Sequence, residues 1–577
     1  MTIDFNVMAG GEAGQGVQSV GAILAGMFAK GGLNVFADQD YESRVRGGHN
    51  FFRVRASSEE VLALSPALDM LIALNKESVE LHEKEVKQGG VIVYDAEQTK
   101  TEARGETYFN VPFNRLALDA TGNKVMANTA AIGAAAGLID YDLDLLAGVL
   151  AKEFGPHGEK MVNDNITAAR AGYDYIDKNG KKLNLPKISL PKRQSKKLLL
   201  NGNEALSLGA LAAGCKFVAG YPMTPSSSIL EFIADKGRQY GAVMIHVEDE
   251  IAAMNMVAGA GYAGVRAMAA TSGGGFALMV EALALTGMTE TPAVVVLGQR
   301  PGPATGLPTR TEQGELLFAL HAGHGEFPRA VLAPATTEDA FYVAVKAFNL
   351  AEKYQTPVII LTDHHLASSY ATVDSFDISK IEIERGAILT DAEANQQTDY
   401  KRHLVTASGI SPRALPGQGR ALVVTDSDEH DEYGHMIEDA GTRNRQVEKR
   451  LRKLDGLKQE IPAPEFHQTK GAGITLIGWG STYGAIREAA AMLKKERTAV
   501  NTLHLRQLWP FPSEKIAASL KKVGKNIVVE GNATGQLAAL IRRETGIKVD
   551  GTILKYDGRP FSPREIVDRL KKEAGKW

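Results

Sequence analysis

Cysteine is almost missing from this chain: 577 residues contain one, Cys215. A single thiol makes no internal disulfide, no Cys-rich zinc site and no four-thiolate iron–sulfur cluster. Its expected place is that of a small buried residue at the start of a strand. Long apolar runs are missing too. None reaches the roughly 18–20 residues that cross a bilayer, and the opening Met1-Thr2-Ile3-Asp4 has neither the basic nor the apolar part of a secretion signal. A cytoplasmic location without membrane contact is expected. No sign of charge dominates, since the net charge is -3, and nothing pulls the whole chain toward nucleic acid. What is plentiful is glycine, with 59 residues, which suits strand-to-helix turns and close backbone approaches. The length suggests roughly four domains at about 150 residues each.

The first periodic segment is an apolar strand over 3–9. It turns through Gly10-Gly11-Glu12-Ala13-Gly14-Gln15-Gly16-Val17 into a helix ending near Ala29. Strand, glycine turn and helix is the setting for phosphate at a helix N-terminus. The match to G-x-G-x-x-G is imperfect and no Walker lysine follows, so nicotinamide binding is the minor reading beside tight strand–helix packing. Asn34–Ala37, Phe51–Arg55, Asp69–Ala73 and Gly90–Tyr94 read as strands, and Ala127–Leu138 as a small-residue helix. Arg44, Arg46 and His49 either face an anion or are solvated. A linker covers 181–197, where Pro191-Lys192-Arg193-Gln194-Ser195-Lys196-Lys197 breaks every periodicity.

From Leu198 to about Tyr370 helices and strands alternate, which implies a parallel sheet covered on both faces. Strands are expected at 215–219, Val243–Val247, Arg266–Ala270, Ala293–Gly298 and Pro357–Thr362. Polar features follow each strand end: Gly220-Tyr221-Pro222-Met223-Thr224-Pro225-Ser226, then Glu248-Asp249-Glu250, then Thr271-Ser272-Gly273-Gly274-Gly275, then a loop holding Arg300 and Arg310. In open α/β sheets ligands bind at such ends. Residues 372–469 lack apolar periodicity and read as an irregular, partner-contacting segment. In it Asp426–Glu432 reads as a solvated charge run and Asn444–Leu457 as an exposed helix. A small α/β domain follows over 470–577.

Tyr221-Pro222-Met223-Thr224-Pro225-Ser226-Ser227 resembles the Y-P-[IVM]-T-P-[SA]-S signature of the 2-oxoacid:ferredoxin oxidoreductases, and the resemblance covers nearly the whole chain. Residues 1–180 look like the family's γ domain, with its G-x-x-G-Q-G turn and its E-x-R-V-R-G-G segment. Residues 198–371 look like the pyrimidine-binding thiamine-diphosphate domain of the α subunit, and 470–577 like its transketolase C-terminal-type domain. The implied fold class is a multidomain α/β protein. The implied reaction is oxidative decarboxylation of a 2-oxoacid with coenzyme A, giving an acyl-CoA, carbon dioxide and reduced ferredoxin, or its reversal to fix carbon dioxide. Among members, the γ-then-α order is most like 2-oxoglutarate:ferredoxin oxidoreductase, which makes succinyl-CoA. Pyruvate and branched 2-oxoacids remain alternatives, as does a non-catalytic scaffold role.

The resemblance also implies what lies elsewhere. No Gly-Asp-Gly occurs in the sequence, so the diphosphate, Mg²⁺ and a [4Fe–4S] cluster are expected on a β subunit, in an (αβ)₂ assembly. No metal is expected on this chain. The carboxyl against the pyrimidine ring should be buried at the start of a helix rich in Ala and Gly. Glu250 fits better than Glu248, although acids there also suit the helix dipole. Tyr221, Pro222, Thr271 and Ser272 are expected against the cofactor, although Thr271 and Ser272 also suit a helix cap. Thr224 and Arg300 are expected on the substrate carboxylate, and Arg310 on the second carboxylate of 2-oxoglutarate.

Overall fold

The computed structural model describes residues 3–43, 47–179, 185, 187, 188, 190, 197–522 and 524–573. Arg44, Arg46 and most of the basic linker lie outside the described residues. The chain divides into two compact units, one formed by 1–200, 368–375 and 562–564, the other by 201–367, 376–561 and 565–577.

The first unit is built on an eight-stranded mixed sheet. Its order is Tyr108–Asn110, Val86–Tyr94, Leu68–Ala73, Asp4–Glu12, His49–Ser57, Asn34–Asp40, Tyr370–Val373 and Leu198–Asn201. Asp4–Glu12 runs parallel to Leu68–Ala73 and antiparallel to His49–Ser57. Leu68–Ala73 is buried at every position, as expected for a strand with both faces covered. The helix Val17–Lys30 follows the glycine turn, with Gly16 at φ 73° as its N-cap. Asn128 Nδ2 ties that turn down by donating to the Gln15 carbonyl (2.7 Å). His49 pairs with Glu12 in register. Its Nε2 is 2.8 Å from His82 Nε2, and His82 Nδ1 is 2.7 Å from Glu85 Oε1.

The second unit carries two sheets. The larger has seven strands in the order Gln507–Trp509, Ala330–Leu332, Pro357–Asp363, Ala293–Gln299, Ala267–Thr271, Phe217–Gly220 and Val243–His246. All pairings are parallel except the edge pair of Ala330–Leu332 with Gln507–Trp509. The smaller sheet holds Glu465–His467, Val500–Leu505, Ile474–Trp479, Lys525–Glu530 and Gly551–Leu554. Apolar side chains of both sheets, among them Val295, Leu297, Ile477, Leu503 and Val528, share one buried core. Helix packing on the larger sheet depends on small residues. A Cβ on Gly209 would stand 2.2 Å from the Phe341 carbonyl oxygen, in the helix Thr337–Tyr354. Cys215 is fully buried. No helix among the described residues is long and apolar enough to cross a membrane.

Residues 376–464 contain little regular structure, and their charges turn inward. The helix Ala440–Gln459 contains the expected Asn444–Leu457 but is not an exposed helix, because Gln446, Lys449, Arg450, Lys453 and Leu457 are buried. The reason is Glu290, itself fully buried. Its Oε1 receives Lys449 Nζ (2.5 Å) and His403 Nδ1 (2.9 Å), and its Oε2 lies 2.6 Å from Lys453 Nζ. Burial works against ionising Glu290, yet the two ammonium groups hold its carboxyl well below the usual range. Burial in turn pushes Lys449 down to about 7 and Lys453 to about 8. The Asp426–Glu432 run is likewise not simply solvated. Glu429 accepts both Arg450 nitrogens at 2.8 Å, and His430 is fully buried.

Candidate active site

Three neighbouring parallel strands of the second unit end side by side: Phe217–Gly220, Ala267–Thr271 and Ala293–Gln299. Each releases its chain at the same edge of the sheet, where parallel α/β architecture places ligands. The first end continues into Tyr221–Ser226. Ser226 is buried and donates its hydroxyl to the Thr271 carbonyl (2.5 Å) of the next strand. Asn203 Nδ2 donates to the Pro225 carbonyl (2.8 Å). The turn is therefore held from two sides, while Tyr221 and Pro222 project outward, Tyr221 being 41 % exposed.

The acidic triplet separates cleanly. Glu248 is exposed. Asp249 is the N-cap of the helix Glu250–Tyr262, its Oδ1 accepting the Ala252 N–H at 2.8 Å. Glu250 alone is buried, at 3 % exposure. Helix-dipole chemistry thus falls to Asp249, which leaves the Glu250 carboxyl for another task.

That carboxyl points at the next strand end. Glu250 Oε1 lies 3.5 Å from Thr271 Oγ1, the outer limit of a hydrogen bond. A Cβ added to Gly275 would meet Thr271 Oγ1 at 2.1 Å and Glu250 Oε1 at 2.3 Å. Gly275 therefore has to be glycine for the carboxyl to sit there. It belongs to the first turn of the helix Gly273–Met288, which Ser272 precedes. Ser272 is fully buried and its hydroxyl has no hydrogen-bond partner among the described residues. Beside it, a Cβ on Gly274 would meet nothing within 4 Å. A buried carboxyl, a buried hydroxyl without a partner and an open glycine surface fit a flat heteroaromatic ring that can share a proton.

Arg300 follows the third strand end. Its Nη1 donates to the Thr224 carbonyl at 2.8 Å, joining the first and third ends. The Thr224 contact is thus through its backbone. Burial lowers the Arg300 pKa, and the nearby Glu315 carboxyl opposes that shift. Arg310 lies ten positions further along the same loop. It is half-buried, its N–H donates to the Leu307 carbonyl (3.1 Å), and its Cβ is 3.0 Å from where Gly558 would carry one. The structure therefore joins Thr224, Glu250, Thr271 and Arg300 by contacts between neighbouring strand ends, whereas Arg310 is placed against the smaller sheet's side of the loop.

Two residues of this loop are invisible to pattern reading. Gln313 clamps it to the smaller sheet: its N–H donates to the Gly531 carbonyl (2.6 Å), its Oε1 accepts the Gly531 N–H (2.9 Å), and its Nε2 donates to the Trp479 carbonyl (2.9 Å). Glu315 is the other. Its N–H donates to Gln299 Oε1 (3.0 Å), and a Cβ on Gly273 would stand 2.5 Å from its Oε1. Burial, reinforced by Glu312 and opposed by Arg300, pushes the Glu315 carboxyl up to about 8. The one available signal is an acidic residue directly before the apolar run Leu316-Leu317-Phe318.

Family comparisons agree with this geometry. Residues 208–449 match the model described as "Pyruvate flavodoxin/ferredoxin oxidoreductase, thiamine diP-bdg". Residues 6–175 match "Pyruvate ferredoxin/flavodoxin oxidoreductase", and 472–566 match "Pyruvate:ferredoxin oxidoreductase core domain II". The α subunit of 2-oxoacid:ferredoxin oxidoreductase 2 from Aeropyrum pernix is 34% identical, over 99% of this chain and 98% of its own. The chain belongs to the 2-oxoacid:ferredoxin oxidoreductases. It is an α subunit of that family and contains its thiamine-diphosphate-binding domain. The 2-oxoglutarate oxidoreductase subunit KorA of Mycobacterium tuberculosis is 30% identical, over 96% of this chain and 89% of its own. Among solved structures, the 2-oxoglutarate:ferredoxin oxidoreductase of Magnetococcus marinus, with 2-oxoglutarate, coenzyme A and succinyl-CoA bound, superimposes with a TM-score of 0.91. It is 34% identical, and the match covers 99% of both chains.

Proposed function

We propose that this α subunit acts with a β subunit to convert 2-oxoglutarate, coenzyme A and oxidised ferredoxin into succinyl-CoA, carbon dioxide and reduced ferredoxin. The observation that carries the choice of substrate is the whole-chain likeness to the Magnetococcus marinus enzyme, which holds 2-oxoglutarate and succinyl-CoA. In this reading 1–180 serves as the γ part, 198–371 binds the pyrimidine, 470–577 is the transketolase C-terminal-like domain, and 372–469 contacts the partner. The β subunit supplies Mg²⁺, the diphosphate contacts and the iron–sulfur cluster, in an (αβ)₂ assembly.

Thiamine diphosphate, when bound, supplies the carbanion chemistry at the keto carbon. This chain's residues do the rest of the positioning. Glu250 would present its buried carboxyl to the ring nitrogen. Tyr221, Pro222, Thr271 and Ser272 would wall the ring, which would offer the Ser272 hydroxyl the partner it lacks among the described residues. Arg300 offers its remaining guanidinium N–H groups to the carboxylate next to the keto group, beside Thr224. Arg310 takes the distal carboxylate, which distinguishes 2-oxoglutarate from pyruvate.

The deciding experiment is an assay of the assembled α–β complex with 2-oxoglutarate, pyruvate and a branched 2-oxoacid, following ferredoxin reduction. The largest kcat/KM is expected for 2-oxoglutarate. Preference for pyruvate or a branched acid would transfer the proposal to that substrate class. An Arg310→Ala complex should lose selectivity for 2-oxoglutarate over pyruvate while keeping its pyruvate rate.

A further inference from the structure

Glu315 has no role in the reaction just described, yet three observations single it out. Its Oε2 is buried and has no hydrogen-bond partner among the described residues. Its Oε1 reaches so close to the backbone of Gly273 that any side chain there would collide with it. Its charge and that of Arg300 act on one another, each opposing the effect of burial on the other. A carboxyl with one oxygen unpartnered, packed on Gly273 and held by its own N–H to Gln299, the residue before Arg300, has one obvious competitor, an anion arriving at the same arginine.

We propose that Glu315 is a positioning residue that sets how firmly Arg300 holds the substrate carboxylate. Protonated, Glu315 leaves the guanidinium charge to the substrate; ionised, it takes that charge for itself. This deepens the proposed function and rests on Arg300 as the carboxylate-binding residue.

Electrostatics give the direction. The charged groups that act on Glu315 are Arg300 and Glu312, both on the segment that follows the third strand end. Burial and Glu312 disfavour ionisation, and Arg300 favours it. The group is raised to about 8, so it is neutral at pH 7 and ionises above pH 8. A second anion at Arg300 disfavours the ionised form further, so substrate binding above pH 8 requires Glu315 to take up a proton. The KM of the 2-oxoacid is then flat below pH 8 and rises above it, by roughly tenfold between pH 7 and pH 9 if only the protonated form binds.

The test uses the complete α–β enzyme and measures KM and kcat from pH 6.5 to 9. In the Glu315→Gln complex, an amide of the same shape cannot ionise, and KM should stay within about twofold of its pH 7 value through pH 9. The Glu315→Asp complex keeps an ionisable group and should keep the alkaline rise. A KM profile in Glu315→Gln that rises in parallel with the wild type overturns the proposal, as does a flat wild-type profile. A merely structural role would lower kcat or thermal stability and leave the shape of the KM profile unchanged. If Glu315→Gln does not fold, the wild-type and Glu315→Asp profiles carry the decision, since the absence of an alkaline rise in both refutes it. A wild-type complex that turns over no 2-oxoacid would instead refute the proposed function.

Discussion

Single side chains carry the proposed chemistry at the three strand ends. Glu250 is the only buried member of its acidic triplet, so its loss should be felt in turnover rather than in folding. In the assembled complex, Glu250→Gln is expected to lower kcat by about 10²–10⁴-fold, the range for a positioned proton donor. Unchanged turnover would instead favour a scaffold role for this chain. Arg300→Lys tests the guanidinium fork. Losing one charge-assisted hydrogen bond costs about 1.5–3 kcal/mol, so KM should rise roughly 10- to 150-fold with a smaller change in kcat. The position of Glu250 was legible in the sequence because a burst of acids before an Ala- and Gly-rich helix marks a strand-to-helix turn. Gln313 and Glu315 were not, because their significance lies in Gly531, Trp479 and Gly273, all distant along the chain. Arg310 was legible as an arginine in a loop, but sequence spacing could not show that it leans on Gly558.

Among elements, the first turn of the helix Gly273–Met288 is tightly constrained at Gly275. Gly275→Ala inserts a methyl group onto the Glu250 carboxyl and the Thr271 hydroxyl, and overpacking of that kind costs about 1–3 kcal/mol. The expected result is a raised requirement for thiamine diphosphate, measured as the cofactor concentration giving half-maximal rate. The helix Ala440–Gln459 presents the opposite case. Its existence could be read from the sequence but its orientation could not, because lysines at Lys449 and Lys453 read as surface residues until a buried carboxylate is known to face them. Glu290 supplies that carboxylate from a sequence distance of 159 residues. Glu290→Ala leaves two buried ammonium groups unpaired and should cost about 3–5 kcal/mol, seen as a lower urea midpoint. Substituting all three groups by apolar residues of similar volume should recover much of that loss.

On the scale of the whole molecule, the proposed function gives this chain half of a reaction. Its one thiol is buried in the larger sheet domain of the second unit, and burial pushes it up to about 12. The chain purified alone is therefore expected to show neither iron–sulfur absorbance nor 2-oxoacid turnover, and both should appear when the β subunit is added. A brown, active preparation of this chain alone would refute the division of labour. The alternation of strands and helices made five of the seven strands of the larger sheet legible in advance, while the three-residue strands Ala330–Leu332 and Gln507–Trp509, the latter an antiparallel edge, are too short to carry a periodic signal. The connection of Tyr370–Val373 to a sheet formed mostly before residue 111 was not legible. A four-residue strand with mixed exposure carries no periodic signal, and its partner Asn34–Asp40 lies more than 300 residues earlier.

That late strand limits how the gene can be cut. Its Thr372 hydroxyl bonds the Val35 N–H at 2.9 Å, and its backbone covers the outer side of Asn34–Asp40. A fragment ending at the linker would carry the glycine turn and its helix intact, but would expose unpaired N–H and C=O groups along that strand. Such an edge recruits other chains. Expression of residues 1–197 by themselves should therefore give self-associating material, and appending the short stretch 368–375 through a flexible tether should restore a monodisperse product.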